Sequence, residues 1–413
     1  MFSVLRERAF RRFWFSQVSS QFGDGITKTA LIYQITIISM NPFLISLVLL
    51  AEMLPGIVLG PLAGSFADKF SKKQILVSAD LFRLVIVLLM IPALKSAGWL
   101  LALMLCKAIG TAFFMPARSA GIRQEVGEEK VSEAVGMVQS TASALRLLAP
   151  SIAGLLLVLQ ARWLIFVIDA ATFLLSAAFL SGLPSMKVVR EAADTDASFK
   201  AKWSFGFQFV WAQSWLLKLF LLSVPFSLAV GMNSTNMRVI VLQRFHVPVV
   251  QYGLMEGMLG AGAIIGALIA TQLSRRRSSF VPLCLGMCLL GLTMVLIYPL
   301  NSWRLVVGTV PVFGWIAFLG IATATANVGF NTLLMKTAKP QMLGRVAAVS
   351  NSFTSLTVIV GVCSVGSLDH FVGVIGTTAC AGGLLLLTLL ALPFLKDLKH
   401  MDLAQQTVSD SSP

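Results

Sequence analysis

Apolar residues run along this chain in long unbroken blocks, separated by short polar clusters, with neither strict alternation nor a single amphipathic face. A helix needs about 20 apolar residues to cross a hydrocarbon layer roughly 30 Å thick. On that measure twelve spans are predicted, at 13–38, 44–66, 74–95, 98–117, 134–159, 163–183, 217–240, 250–272, 280–299, 304–327, 345–367 and 372–395. The one long polar insert runs from Pro184 to about Trp215. Its first half, with Glu191, Asp194 and Asp196, reads as a linker. Its second half, Phe199 to Trp211, is aromatic and basic, as in segments that lie along a membrane surface. The expected architecture is an all-α polytopic membrane protein with twelve transmembrane helices in two pseudo-symmetric six-helix bundles. The bundles are residues 1–183 and 217–395, joined by a cytoplasmic linker at 184–216 and followed by a tail at 396–413.

Composition supports this class. Of 413 residues, 57% are hydrophobic and 12% charged, and the mean hydropathy is +0.85. A soluble domain carries about 25% charged residues. The net charge of +14 raises nucleic acid as a partner, but the bases are spread thinly over one membrane face. Loops on the side of Lys69, Lys72 and Lys73 hold 22 of the 32 Lys and Arg residues, and the opposite side holds four: Lys95, Arg162, Arg244 and Arg304. Basic loops stay in the cytoplasm, so both termini are expected there and the number of spans is even. Arg6, Arg8, Arg11 and Arg12 lead into an uncleaved first helix. The five cysteines (Cys106, Cys284, Cys288, Cys363, Cys380) lie inside apolar runs without zinc or disulfide spacing and read as small core residues. No metal or cofactor is expected, and a monomer is expected.

The second half echoes the first. A shift of 204 residues lays Glu52 on Glu256, Gly56 on Gly260, Ala63 on Ala267, Lys72 on Arg276 and Lys73 on Arg277. Gln272 stands where Asp68 would be. Duplicated halves are typical of carriers that rock about a central site.

Ionisable residues at membrane depth are costly unless they are paired or face water, which makes them the candidate chemistry. On the first helix Gln17, Gln21, Asp24 and Lys28 form one polar stripe, read as lining a cavity, with a static Asp24–Lys28 pair as the alternative. Glu52 has no partner within a turn of its own helix. With Asp24, Asp169 and Glu256 it forms the set of proton-coupling candidates. Lys107 needs a carboxylate or carbonyl neighbour. Asp169 is a candidate for the cavity or for pairing with Arg146 or Lys107, and Gln139 and Arg146 share a stripe. Asn233 and Asn236 complete the substrate-cavity candidates. The hairpin from Gly60 to Leu76 is too short to be anything but an antiparallel turn. Its acid, Asp68, reads as an acceptor for a neighbouring helix end or base. Asp80 and Arg83 read as structural partners of that loop, so Gly64, Asp68, Lys69, Lys72, Lys73, Asp80 and Arg83 form a predicted conformational gate.

The order Gly64-x-x-Ala67-Asp68-Lys69-x-Ser71-Lys72-Lys73-x-x-Leu76 resembles the loop 2–3 signature of the major facilitator superfamily. Ser71 stands where the family usually has Gly, and Phe66 where it has Leu. The run Ala149-Pro150-Ser151-Ile152-Ala153-Gly154 resembles the Gly-Pro-x-x-Gly-Gly antiporter motif of facilitator exporters: Pro150 and Gly154 match, and alanines replace two glycines. Phe114 to Ala120, the stretch from Glu129 to Ala134, and the opening Phe13-Trp14-Phe15-Ser16-Gln17 are similar to the branch containing macrolide-efflux proteins and the enterobactin exporter. The resemblance implies a secondary active exporter in a bacterial plasma membrane, exchanging protons for an amphipathic small molecule such as a drug, antibiotic, siderophore or peptide-like metabolite. A lipid or lysophospholipid flippase on the same fold is the alternative. An enzyme is not expected, because His246, His370 and His400 all lie near loops or the tail. A nucleotide-driven pump would need a Gly-x-x-x-x-Gly-Lys-Ser/Thr loop, which the chain lacks.

Overall fold

A computed structural model of the chain describes residues 4–38, 42–158, 162–184, 214–276, 278–337 and 343–390. The surface segment predicted at 199–211 and the tail at 396–413 lie outside the described residues. Among the described residues every regular element is helical. The chain divides into two compact units, Met1–Thr195 with Pro248–Gly257, and Asp196–Val247 with Met258–Pro413. These differ from the expected bundles at Pro248–Gly257, which groups with the first unit despite its place in the second half of the chain.

The first unit contains α1 (Arg8–Ile38), α2 (Pro42–Lys69), α3 (Lys72–Met90), α4 (Ala97–Val158) and α5 (Arg162–Ser181). Here α1 packs on α4 and α5, α2 on α4, and α3 on both α4 and α5. Where two spans and a polar loop are predicted at 98–159, α4 is one helical segment of 62 residues. The intervening stretch, Arg118 to Glu133, has no proline and is rich in Glu, Arg and Gln, with Gly121 and Gly127 its weakest helix formers. On a straight rod, Lys107 and Ala149 would stand about 63 Å apart. Yet Lys107 lies 2.8 Å from Asp24, and Ala149 fills the space beside Gly25. The segment therefore doubles back; its first arm holds the span-length stretch Ala97–Val126, and its second arm holds the shorter apolar stretch Leu148–Leu157.

An apolar core of Ile26, Ala30, Ala149, Ala153, Leu157 and Ile165 joins α1, α4 and α5 in this unit, and two more flank the charged residues. One joins Phe10, Phe13, Leu76, Phe114, Ala134 and Leu180, and the other joins Leu31, Ile35, Val48, Val87, Leu100 and Phe166. Along α1, α3 and α4 the charged residues Asp24, Asp80, Arg83 and Lys107 fall between the two cores in sequence. The unit is thus oily at both ends and polar across its middle.

The second unit holds α6 (Ser214–Val239), a π-turn at Ile240–Arg244, α7 (Val249–Arg276) from Met258 onward, α8 (Phe280–Val295), α9 (Ile297–Val307), α10 (Val310–Thr337) and α11 (Leu343–Leu389). Between α8 and α9 the axis bends by 43°. The two last predicted spans are merged in α11, with a break at Gly373, whose φ of 74° and ψ of 161° are open to glycine alone without strain. Close packing here rests on small residues. A Cβ at Gly262 or Gly266 would strike the Ala317 or Ile321 carbonyl, and one at Gly320 would strike that of Leu259. The Gly262-x-x-x-Gly266 spacing thus lets α7 and α10 touch backbone to backbone.

Seven helical stretches among the described residues are long and apolar enough to cross a membrane, or eight counting the bent pair. The twelve-span reading is compatible with this. Both arms of α11 fall within one of those stretches, while α1 and α3 carry charges that lower their hydropathy. Large apolar side chains such as Leu62, Val306 and Phe371 are exposed, as a lipid-facing surface requires. The chain is a multi-pass membrane protein.

Candidate functional site

The first unit holds an unbroken chain of charges. Arg83 on α3 pairs with Asp80, one turn earlier, whose other oxygen accepts a 2.5 Å hydrogen bond from Ser176 Oγ. The same guanidinium reaches Asp24 Oδ2 at 3.5 Å, and Lys107 Nζ meets Asp24 Oδ1 at 2.8 Å and Asp169 Oδ2 at 2.9 Å. The order is Asp80–Arg83–Asp24–Lys107–Asp169, acid and base alternating, with three carboxylates to two cations among the described side chains. Asp80 and Asp169 are fully buried, whereas the Asp24 side chain is 34% exposed. Water therefore reaches the chain of charges at its central acid.

Neighbouring helices impose this geometry. The Arg83 guanidinium lies between the rings of Phe114 and Phe173, 4.3 and 4.5 Å from their centroids, and Lys107 Nζ is 5.3 Å from Phe173. Aromatic faces attract cations and keep them from turning away. Gly23 allows α5 to come close, because a Cβ there would collide with Thr172 Oγ1 and Asp169 Oδ1. Gly110 does the same for α3, where a Cβ would press on the Phe82 and Arg83 side chains.

One turn along α1 from Asp24, Lys28 Nζ bonds Glu52 on α2, at 2.9 Å to Oε1 and 2.7 Å to Oε2. Both side chains are about one-third exposed, 38% and 34%. Ion pairs this wet contribute about 0–1 kcal/mol. A small cavity of about 120 Å³ joins this pair to the buried charges, lined by Asp24, Thr27, Lys28, Glu52, Lys107 and Thr111 among others. A larger groove of about 380 Å³ begins at Glu52 and runs between α2 and α4 past Gly56, Gly60, Thr111, Met115 and Ser119.

Several sequence expectations change in position or partner. The alternative of a static Asp24–Lys28 pair is not what the structure holds, since each takes a partner from another helix. Asp80 and Arg83, expected beside the Asp68 loop, belong to the buried charges, because Arg83 is held by two aromatic rings and is only 2% exposed. Gln17 is 1% exposed, and its amide nitrogen donates to Ser16 Oγ at 3.3 Å. Neither Gln17 nor Gln21 lines these two cavities, because α1 is packed by the Phe10–Phe13 core as it approaches them. Asn236 is fully buried in the second unit and donates to Asp369 Oδ1 at 3.2 Å and the Val374 carbonyl at 3.3 Å, tying α6 to the Gly373 break. Asn233, 8% exposed, is buried nearby on the same helix. Neither asparagine lines the two cavities described above. Glu256 accepts a 3.1 Å hydrogen bond from Tyr252 Oη and is 8% exposed, so the two repeat-related glutamates have unlike surroundings. The side chains of Gln139 and Arg146 lie outside the described residues.

In the predicted gate, α2 ends at Lys69 and α3 begins at Lys72, which is buried. Lys73 Nζ donates to the Leu183 carbonyl at 2.6 Å, and Arg12 Nη1 donates to that of Gly182 at 2.5 Å. Two cations thus cap the end of α5, where unpaired carbonyls favour positive charge. Gly64 has open space where a Cβ would stand, and the Asp68 side chain lies outside the described residues. In the antiporter-like run, Pro150 and Gly154 lie on the second arm of α4. A Cβ at Gly154 would collide with the Gly253 backbone, and the Pro150 carbonyl also faces Gly253. The aromatic clamp of Phe114 and Phe173 is the main feature missed from sequence. Its trace is the spacing of seven residues from Lys107 and four from Asp169, which puts each ring on its charge's face.

A family model for the Major Facilitator Superfamily matches residues 13–362. An MFS-type transporter, YfiS, of Bacillus subtilis (strain 168) is 26% identical over 366 residues, covering 87% of this chain and 86% of that one. Macrolide efflux protein A of Streptococcus pyogenes is 21% identical over 402 residues, covering 95% and 97%. Among solved structures, the nucleoside transporter NupG superposes with a TM-score of 0.72 at 13% identity, covering 94% of this chain and 98% of that one. A bacterial homologue of the iron transporter ferroportin in an inward-facing state gives 0.71 at 15%, covering 93% and 98%. A helical fold with charges buried across its middle, matched by the family model over most of its length, makes this chain a transporter of the major facilitator superfamily.

Proposed function

We propose that the chain is a proton-coupled exporter of amphipathic small molecules, located in a bacterial plasma membrane with both termini cytoplasmic and working as a monomer. The observation that carries this reading is the run Asp80–Arg83–Asp24–Lys107–Asp169, with an excess carboxylate and its central acid open to a cavity. A proton arriving at Asp24 neutralises that excess. It also weakens the hold on Lys107 and Arg83, so the arrangement of helices that is cheapest changes with protonation. Substrate in the adjoining cavity competes for the same carboxylate, and competition at one site gives exchange. Glu52 and Asp169 take part as the partners of Lys28 and Lys107, while Glu256 is the candidate from the second half of the sequence. The Gly64–Lys73 hairpin and the Pro150–Gly154 run are the elements that release and re-form helix contacts. Export over import is supported by likeness to the macrolide efflux proteins and by the antiporter-like run.

A growth-inhibition panel in an efflux-deficient bacterium, macrolides included, tests this with wild type and Asp24→Asn at matched membrane levels. Wild type is expected to raise the tolerated concentration of at least one amphipathic compound several-fold, and Asp24→Asn to lose that gain. Equal protection by both variants would sink the role given to Asp24.

A further inference from the structure

We infer that the groove between α2 and α4 binds an amphipathic organic cation, whose charged end displaces Lys28 from Glu52 while its apolar body lies over Gly56 and Gly60. This rests on the exporter reading and names the substrate class of that same unit. The groove and the small cavity share Glu52, Ala108 and Thr111, so they form one continuous depression with Glu52 at the junction.

Three observations fix the sign of the ligand. First, the polar groups along the groove are acceptors. Thr111 Oγ1 donates to the Lys107 carbonyl at 3.3 Å and Ser119 Oγ to the Met115 carbonyl at 3.1 Å, which turns their lone pairs outward. Glu52 adds a carboxylate. Second, the ion pair on Glu52 is the wet one. Lys28 is 38% exposed, whereas Lys107 is 7% exposed and lies between two acids. A partly hydrated pair exchanges partners readily, and Lys28 has Asp24 one turn behind it to turn to. Third, the floor is bare. Built Cβ atoms at Gly56 and Gly60 meet nothing within 4 Å, so these glycines leave free volume that no neighbouring side chain occupies. Ala108, Ala112, Met115 and Pro116 supply apolar walls. Glu52 is the one charged residue lining the larger groove, whereas Lys28 and Lys107 line the small cavity beyond it, so an anion in the groove would meet a carboxylate and an organic cation meets its complement there.

The open space beside Gly60 makes the test clean, since a Cβ there meets nothing within 4 Å and a leucine grows into the groove away from the backbone. The probe is radiolabelled tetraphenylphosphonium, bound to purified full-length protein in detergent, with thermal unfolding recorded for every variant. Glu52→Gln is expected to weaken binding about tenfold. Gly60→Leu is expected to weaken it by a similar factor with an unchanged unfolding midpoint. Lys28→Met removes the competitor and is expected to tighten binding. Wild-type binding that survives Glu52→Gln and Gly60→Leu unchanged, or that weakens in Lys28→Met, overturns the inference, as does no binding at all. Proteoliposome transport of the same probe separates the two claims. Binding without transport leaves the site standing and removes the exporter. Transport unaffected by Glu52→Gln removes the site and leaves the exporter.

Discussion

Lys107 is the residue on which the first unit's polar interior turns. It is 5% exposed and answers two carboxylates from two other helices, Asp24 and Asp169. Removing one partner from a buried ion pair costs about 3–5 kcal/mol, because the remaining charge is left in a poor solvent. Lys107→Met is therefore expected to lower the unfolding midpoint sharply in detergent, and the double variant Lys107→Met with Asp169→Asn to recover more than half of the loss. A single variant as stable as wild type would contradict the pairing. At this scale the sequence was partly legible. A lysine amid apolar residues demands a carboxylate or carbonyl, and Lys107 was one of the two bases, with Arg146, that Asp169 was expected to pair with. The i, i+3 spacing of Asp80 and Arg83 showed that they share a face, but not that the face turns inward between Phe114 and Phe173. Side-chain partners on other helices depend on helix rotation, which spacing along a single helix does not encode.

Among the helices, glycine separates two kinds of surface. Gly23 has α5 directly against it, whereas Gly56 has open space. Gly23→Ala is expected to cost about 1–3 kcal/mol of stability by overpacking. Gly56→Ala, touching nothing, is expected to stay within about 0.5 kcal/mol of wild type. Thermal unfolding of the pair decides it: equal shifts would mean that the close approach of α1 and α5 is not what Gly23 serves. In the second unit, Gly266→Leu is expected to separate α7 from α10, where Thr325 Oγ1 also donates to the Gly266 carbonyl at 3.2 Å. Loss of a folded, monodisperse species in size-exclusion chromatography checks this, and an unchanged profile would refute it. Apolar helices were legible here because the length of an apolar block sets them, and seven or eight of the described stretches are long and apolar enough to cross a membrane. The helical character of Arg118–Glu133 was not, since a polar stretch between spans that holds Gly121 and Gly127 reads as a loop, although it has no proline and its Glu, Arg and Gln favour a helix. Gly262 and Gly266 formed no part of the sequence reading, and it is the contact with Ala317 and Ile321 that shows which face they serve.

For the whole molecule, membrane class and family were legible early. Mean hydropathy, the one-sided basic loops and the Gly64–Lys73 signature all pointed the same way, and the family match over residues 13–362 agrees. The site was less legible, because four helices far apart in sequence contribute one charge chain. Its central claim is that Asp24 exchanges a proton for substrate. The most direct measurement follows the pH gradient in inverted membrane vesicles with an acridine dye, before and after adding a compound to which the protein confers tolerance in the growth panel. With wild-type protein the quenched fluorescence is expected to recover as protons leave in exchange for the compound, and with Asp24→Asn it is expected to stay quenched. Equal recovery in both, or uptake of the compound that persists once the gradient is collapsed, would contradict proton exchange at Asp24.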